Sequence, residues 1–301
     1  MRPNTLILVA FIGVLSLSAC SKFQQIRSNP NLRVQLDAAY QYYEEEDYYR
    51  AAMIFQDLIP IYRGRPEAQK MQFTFAYCHY YEEDYLLASH YFKTFFDTYR
   101  RSDRAEEALF RSAQSLCFEA PATNLDQSST YDAIQSLQGF INLFPNSEYT
   151  AQAAELLDQQ QRKLERKAFD NALLYYKIRR YEAAMVAFEN FENDYPDSEL
   201  REEAHYYTVK AASEYADGSA LHKQEERYRK TISLQEDFVD TYPESEFGRE
   251  LARLADSATR GIARLARIKE QVEEERKAAE ERERRRRENV QQREQEAELQ
   301  Q

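Results

Sequence analysis

The sequence predicts an all-α fold, a superhelical array of about five helical hairpins followed by a long charged C-terminal helix. Three observations support this prediction. Only 6 of the 301 residues are glycine, which leaves little material for tight β-hairpins. A pattern of aromatic residues and alanine recurs along the chain at helical spacing. The C-terminal part is dominated by Glu and Arg, and many of them are spaced four apart.

The first 19 residues are predicted to be a signal peptide and not part of the fold. Arg2 precedes an apolar run from Leu6 to Leu17, which is too short to span a bilayer comfortably but has the length of a secretory signal core. The run ends in Leu17-Ser18-Ala19-Cys20, which resembles the bacterial lipobox. We therefore predict lipid attachment at Cys20 and a lipidated linker over residues 20–33. An ordinary cleaved signal is the alternative.

The residues after Cys20 lack the aspartate of a common inner-membrane retention signal. They also lack an acidic surface-export cluster. We therefore expect a protein of the outer membrane, held on its periplasmic face by the lipid anchor.

A repeat occupies residues 34–260 in this prediction. Its unit is an aromatic residue, an alanine at +3, bulky apolar residues at +7 and +10, and an aromatic residue at +14. Three near-perfect copies begin at Tyr48, Tyr85 and Tyr181, and two weaker copies begin at Thr130 and Tyr228. The spacing resembles the second helix of a tetratricopeptide-repeat (TPR) unit, in which the small alanine lets two helices approach closely. Stacked units of this kind form a superhelix with a binding groove.

The connections between the repeats are predicted from their turn residues. Three copies end in an aromatic residue and a proline, followed two positions later by a serine that can cap the next helix. Two longer insertions, Glu119 to Ser129 and Asp217 to Gln224, are predicted to be loops.

The first helices of TPR units usually line the groove. They supply the candidate peptide-binding residues Tyr40, Tyr43, Tyr77, Tyr80, Tyr81 and Tyr207. The alternative is that these tyrosines are packing residues. His79 takes the position of a core tyrosine, so we interpret it as a core residue and not as a ligand. Cys78 and Cys117 are either buried free thiols or one disulfide.

Residues 261–301 are predicted to be a charged helical tail, solvated as a single helix beyond an apolar stripe that can dock on the last repeat. The formal net charge of −12 argues against a nucleic-acid partner, because polyphosphate binding needs a basic face. No HExxH, Gly-rich phosphate loop or CxxC is present in the sequence. The sequence therefore predicts no catalytic residue, no metal site and no cofactor, and hence a protein that is not an enzyme.

The lipobox, the short linker and the hairpins with Tyr-Pro-x-Ser turns together resemble the BamD (YfiO/ComL) family of outer-membrane lipoproteins. The resemblance covers roughly residues 20 to 255. Within it, the stretch DNALLYYKIRRYEAAMVAF from Asp170 to Phe188 is similar to the family's A-x-Y-Y-x-x-R-x-x-Y-x-A-A region. The chain departs from the family at Val186-Ala187-Phe188, where many members carry an arginine, and in its long charged tail.

The resemblance implies a scaffold of the outer-membrane β-barrel assembly machinery. Such a protein binds the barrel-inserting BamA-like subunit with its C-terminal repeats and helps deliver unfolded outer-membrane proteins with its N-terminal repeats. Two other functions fit an envelope-anchored TPR adaptor. One is coordination of cell-wall synthesis, although such proteins usually carry a coiled coil before the repeats and lack a lipobox. The other is glycan binding for nutrient uptake, although such proteins are usually rich in tryptophan, which this chain lacks.

Overall fold

The computed structural model describes residues 22–299, so the predicted signal peptide and Cys20 lie outside the described residues. Within this range all regular secondary structure is helical, which confirms the predicted all-α class. A short helix, residues 22–27 (α1), comes first. The helices that follow are α2 (Leu32–Glu44), α3 (Tyr48–Leu58), α4 (Glu67–Tyr81), α5 (Tyr85–Thr98), α6 (Ala105–Glu119), α7 (Ser128–Leu143), α8 (Thr150–Lys177), α9 (Tyr181–Asp194), α10 (Arg201–Asp217), α11 (Leu221–Thr241) and α12 (Gly248–Leu299).

The chain divides into two compact units, Met1–Leu164 and Glu165–Gln301. In the first unit the described helices form three hairpins, α2–α3, α4–α5 and α6–α7. In the second unit the end of α8 packs against α9, and α10 forms a hairpin with α11. Helix α8 is continuous across the boundary between the units. The described hairpins match the five repeats expected from the sequence.

The repeated residues form the cores of the hairpins. Ala88, Phe92 and Phe95 of α5 are fully buried, and Ala184 and Phe188 take the same places in α9. Burial of a phenylalanine ring in such a core stabilises a fold by about 3–5 kcal/mol relative to alanine. The aromatic–alanine pattern in the sequence is therefore the pattern of the core.

The two weaker copies of the repeat are buried in the same way. Ala133 and Phe140 of α7 are fully buried. In α11 the place of the alanine is taken by Thr231, which is fully buried together with Phe238. The Thr231 hydroxyl donates to the backbone carbonyl of Arg227 at 3.1 Å, so the polar group is satisfied within its own helix.

The turns inside three hairpins share one backbone conformation. Glu46, Glu83 and Arg179 have φ angles of 62°, 60° and 60°, in the left-handed region that favours glycine. In the first of these turns the backbone N–H of Asp47 donates to the carbonyl of Tyr42 at 2.9 Å, which caps the end of α2. The equivalent bond recurs after α4 and near the end of α8, so the three turns are closed in the same way.

The turns between hairpins use the serines that follow the Tyr-Pro or Phe-Pro breaks. The hydroxyls of Ser147, Ser198 and Ser245 each accept a bond from the backbone N–H two residues later, at 3.3, 2.9 and 3.1 Å. The bonded N–H belongs in each case to the residue just before the next helix, and no side chain caps the start of α10. The serines therefore close the turns between hairpins but do not cap the following helix, contrary to the prediction from the sequence.

The connections at the two predicted insertions are each closed by a buried glutamine. The side-chain amide of Gln127 donates to the carbonyl of Ala122 at 2.8 Å, within the loop between α6 and α7. Gln224 donates in the same manner to the carbonyl of Ser219 at 3.1 Å. The second connection is shorter than the predicted insertion, because α11 already begins at Leu221.

Helix α12 begins at Gly248, so the predicted tail boundary at residue 261 falls inside one continuous helix. Its first part packs against α10 and α11 through the buried Leu251, Ala258 and Leu265. Gly261 permits this contact, because a Cβ atom there would lie 2.7 Å from the ring of Tyr228. From residue 270 to residue 289 every side chain except that of residue 273 is exposed.

Both described cysteines are free, buried thiols. Burial raises the pKa of the Cys117 thiol to about 11 and raises the pKa of the Cys78 thiol as well. The two thiols lie in separate core clusters. Of the two alternatives from the sequence, the structure has the free thiols and not the disulfide.

Candidate functional site

Four of the six predicted tyrosines come together on α2 and α4. The ring centroids of Tyr43 and Tyr81 lie 6.3 Å apart, and Tyr81 stacks on Tyr77 at 5.6 Å. Tyr80 contacts both Tyr77 and Tyr81 edge-on, at 6.0 and 5.7 Å. We call Tyr43, Tyr77, Tyr80 and Tyr81 the tyrosine cluster.

The members of the tyrosine cluster differ in exposure. Tyr81 is 47% exposed, whereas Tyr77 is only 8% exposed. Tyr43 and Tyr80 are half-buried. The exposure expected of Tyr77 is therefore absent, because its ring packs against aromatic rings of its own hairpin, those of Phe73 and Phe92. Tyr77 is therefore a packing residue on which the ring of Tyr81 stacks, and Tyr81 is the most accessible member of the cluster.

Helix α6 extends this surface with polar side chains that the sequence reasoning missed. The guanidinium of Arg111 donates to the hydroxyl of Tyr77 at 3.1 Å and to the amide oxygen of Gln114 at 2.7 Å. The hydroxyl of Tyr80 donates to the same Gln114 oxygen at 3.0 Å. The Tyr77 hydroxyl also donates to Glu107.

The sequence contains a signal that could have found Arg111. Arg111 lies 34 residues after Tyr77, and Gln114 lies 34 residues after Tyr80. The repeat copies that begin at Tyr48 and Tyr85 are 37 residues apart, so each partner lies three residues, or about one helical turn, before the position equivalent to its tyrosine. A tyrosine on one first helix therefore contacts the residue one turn before the equivalent position on the next first helix.

The phenols of Tyr43, Tyr77 and Tyr80 remain protonated. Burial raises the pKa values of Tyr43, Tyr77 and Tyr80, and the bond to Glu107 adds to the effect at Tyr77. Groups of this kind donate hydrogen bonds and present aromatic surface, but they do not ionise near neutral pH. The arrangement is suited to holding a polypeptide.

The other two predicted tyrosines lie apart from this cluster. Tyr40 contacts Phe55 edge-on at 5.1 Å and lies under the ammonium of Lys70, 4.3 Å from its ring centroid. Tyr207 belongs to the second unit, where it stacks on Phe188 at 5.7 Å. Both tyrosines are half-buried. Their contacts are those of packing residues.

The second unit carries an exposed apolar surface at the end of α8 and on α9. Leu174, Ile178 and Val186 are 54%, 55% and 52% exposed. An open cavity of about 640 Å³ is lined by Val186 together with Tyr175, Arg179 and Arg180, among others. We call Leu174, Tyr175, Ile178, Val186, Arg179 and Arg180 the α8–α9 surface.

The described histidines offer no metal site. Burial lowers the pKa values of His79 and His205. The ring of His79 stacks on Tyr91 with centroids 5.0 Å apart, in the core position that the sequence predicts. Over residues 22–299 no group of three or more His, Cys, Asp or Glu side chains could hold a metal ion. In the same range, no helix is both long and apolar enough to cross a membrane.

Successive hairpins with an alanine–phenylalanine core and aromatic first helices define a helical-repeat protein of the TPR type. The model of the YfiO family, described as outer membrane lipoprotein, matches residues 35–211. The chain belongs to this family, as the sequence resemblance predicts.

Comparison with solved structures gives 23 matching chains. One is the complex of the TPR2AB domain of yeast Sti1 with pHSP90, at 10% identity and a TM-score of 0.36. The match covers 76% of this chain and 98% of that chain. No curated protein sequence matches significantly.

Proposed function

We propose that this chain is a scaffold lipoprotein of the machinery that inserts β-barrel proteins into the outer membrane. A lipid anchor on Cys20 holds it at the periplasmic face. Its second unit binds the BamA-like barrel-inserting subunit, and its first unit helps deliver unfolded outer-membrane proteins. Membership of the outer membrane lipoprotein family supports this proposal.

The α8–α9 surface is the observation that carries the proposal. It lies within Asp170–Phe188, the stretch that resembles the family, and inside the range matched by the family model. Its three aliphatic side chains are each more than half exposed, although the core of the same hairpin is fully buried. Exposed apolar groups next to one another mark a protein-binding surface. Arg179 and Arg180 suit a partner with carboxylates at the rim of its interface.

The tyrosine cluster supports the second role. Unfolded chains offer aromatic and aliphatic side chains without a fixed arrangement, and tyrosine binds such groups with little loss of conformational entropy. Tyr81 provides accessible aromatic surface, and Arg111 and Gln114 provide polar groups beside the cluster. This surface can hold an extended segment without selecting one sequence.

The test is an affinity pulldown of the full chain, tagged at its C-terminus and solubilised in detergent. We expect a large β-barrel protein with repeated periplasmic domains to be recovered in near-stoichiometric amount. The double variant Leu174→Glu/Ile178→Glu should lose it, because two charges enter the apolar surface. Leu143→Glu is the matched control, since Leu143 is 55% exposed in the first unit. Recovery of peptidoglycan synthases or sugar transporters instead would refute the barrel-assembly role.

The anchor is tested separately with Cys20→Ala. Without the thiol no diacylglycerol can be attached, so the variant should leave the membrane fraction and lose metabolic labelling by palmitate. Retention of both would show that another segment anchors the chain.

A further inference from the structure

Two turns of the first unit place carboxylates beside aromatic rings. Glu44 ends α2 and is followed by two more glutamates, and Glu82 and Glu83 follow α4. Ring contacts hold the two turns side by side. Tyr48, at the start of α3, stacks on Tyr81, at the end of α4, with centroids 4.7 Å apart. The two turns therefore form one continuous edge.

The end of α6 continues this edge. The ring of Phe118 lies 5.1 Å from that of Tyr85 and 6.1 Å from that of Tyr80. Phe118 is 47% exposed, and Leu86, which follows Tyr85, is 60% exposed. Glu119 comes directly after Phe118. We call the following residues the acidic aromatic edge: Glu44, Glu82, Glu119, Tyr48, Tyr81 and Phe118.

The three glutamates of this edge are exposed, and they form no ion pair with a lysine or arginine among the side chains that the structure describes, those of residues 22–289. The nearby Asp47 pairs with Arg50 at 2.8 Å. Asp84 lies 3.5 Å from His79, whose pKa is lowered by burial, so this histidine adds little positive charge near neutral pH. At the end of α6 the ammonium of Lys163 donates to the carbonyl of Ala120 at 3.2 Å, next to Glu119. The negative charge available to a partner is therefore greatest at Glu44 and Glu82.

The second unit shows how such groups can hold a cation. There the guanidinium of Arg227 lies 3.6 Å from the ring centroid of Tyr215. The hydroxyl of Tyr215 donates to Glu182 at 2.6 Å. A carboxylate, a tyrosine ring and a guanidinium thus stabilise one another within this protein. The acidic aromatic edge has the carboxylates and the rings, and a partner could bring the cation.

We propose that the acidic aromatic edge docks a segment of a partner protein in which arginine or lysine alternates with apolar residues. The cationic groups lie beside the glutamates and against the ring of Tyr48, while the apolar residues pack on Leu86 and Phe118. The exposed apolar side chains provide the docking surface, and the negative charge around them favours a positively charged partner. This inference goes beyond the barrel-assembly role, because it holds whichever machinery the chain serves.

The test measures fluorescence anisotropy of a short labelled peptide of alternating arginine and leucine, added to the full chain solubilised in detergent. The variant is Glu44→Lys/Glu82→Lys. Both positions lie at helix C-termini, where a lysine is compatible with the helix dipole, so the variant should keep its far-UV circular dichroism. We expect binding about tenfold weaker, the effect of roughly 1.4 kcal/mol from two reversed charges.

The matched control is Glu199→Lys/Glu244→Lys, which makes the same change of net charge at exposed positions of the second unit. Binding by this control should stay within about twofold of the unaltered chain. A peptide of alternating glutamate and leucine should not bind, and its binding with equal affinity would overturn the proposal. Equal weakening in both double variants, or no binding of the arginine peptide to the unaltered chain, would overturn it as well. The pulldown described above can succeed in either case, so the two proposals fail independently.

Discussion

Three hairpin turns, two in the first unit and one in the second, share a backbone conformation and differ in charge. In the first unit the left-handed residues are Glu46 and Glu83, within acidic turns. In the second unit the equivalent residue is Arg179, with Lys177 and Arg180 close to it in the sequence. The main-chain hydrogen bonds are the same in all three turns. The backbone conformation of the turn is therefore independent of the charge of its exposed side chains. These side chains can differ between the units and so favour partners of different charge.

The largest expected effect tests whether the two units share one kind of core. Phe92→Ala in the first unit and Phe188→Ala in the second should each destabilise by about 3–5 kcal/mol, because both rings are fully buried. Urea unfolding followed by far-UV circular dichroism measures this. Val186→Ala, at an exposed position, should change stability by less than about 0.5 kcal/mol. A cost below about 1 kcal/mol at only one of the two rings would show that the cores are not equivalent.

A smaller expected effect is a pH dependence of stability that arises from Glu192 in the second unit. Burial raises the pKa of Glu192 to about 7, and Arg201 only partly offsets this. The folded state therefore favours the protonated acid, and its stabilising contribution is lost as pH rises from about 4.5 through about 7. Glu192→Gln should be more stable than the unaltered chain at alkaline pH, by roughly 1–3 kcal/mol, with no difference at acidic pH.

Urea midpoints at pH values on either side of this window measure the difference. Glu199→Gln is the control, because Glu199 is exposed. If Glu192→Gln were less stable than the control at alkaline pH, the carboxylate would be ionised and favourably paired in the fold. Arg201, whose charge lowers the pKa of Glu192, would then be the partner.

The smallest effect tests the shared turn conformation itself. Glu46→Gly, Glu83→Gly and Arg179→Gly should each stabilise by about 0.5–1 kcal/mol, because glycine adopts positive φ without strain. Glu82→Gly should have the opposite sign, since Glu82 has a φ of −76°. Thermal unfolding of the four variants gives the comparison. Destabilisation by Arg179→Gly but not by the two glutamate variants would show that the turn of the second unit differs from those of the first.

The hairpins could be predicted from the sequence because their cores rest on a fixed spacing. An alanine and two aromatic residues recur at positions that must face the partner helix, and these are the buried positions, as at Ala88, Phe92 and Phe95. The start of α12 could not be placed, because the segment after Ser245 has no sharp change of composition. Only the structure shows that the tail and the segment packed on α10 and α11 are one helix.

The exposure of the tyrosines could not be predicted, because it depends on how the surrounding side chains pack. Tyr77 and Tyr81 lie on one face of α4, four residues apart, yet one is buried and the other exposed. The ring of Tyr77 packs on phenylalanine rings of its own hairpin, and its hydroxyl bonds to Glu107 and Arg111 of α6. Position on a helix gives the direction of a side chain, and its neighbours in both hairpins decide whether solvent reaches it.

The two buried thiols connect folding with oxidation, because in an oxidising compartment they can form a disulfide with each other only when the chain is unfolded. In the folded chain Cys78 and Cys117 are shielded and protonated, which protects both from oxidants. An unfolded molecule exposes both at once, and a disulfide formed between them joins residues that belong to different core clusters. Such a molecule cannot regain both cores until the bond is reduced. Burial of these two side chains therefore protects the chain from irreversible oxidation, in addition to its contribution to packing.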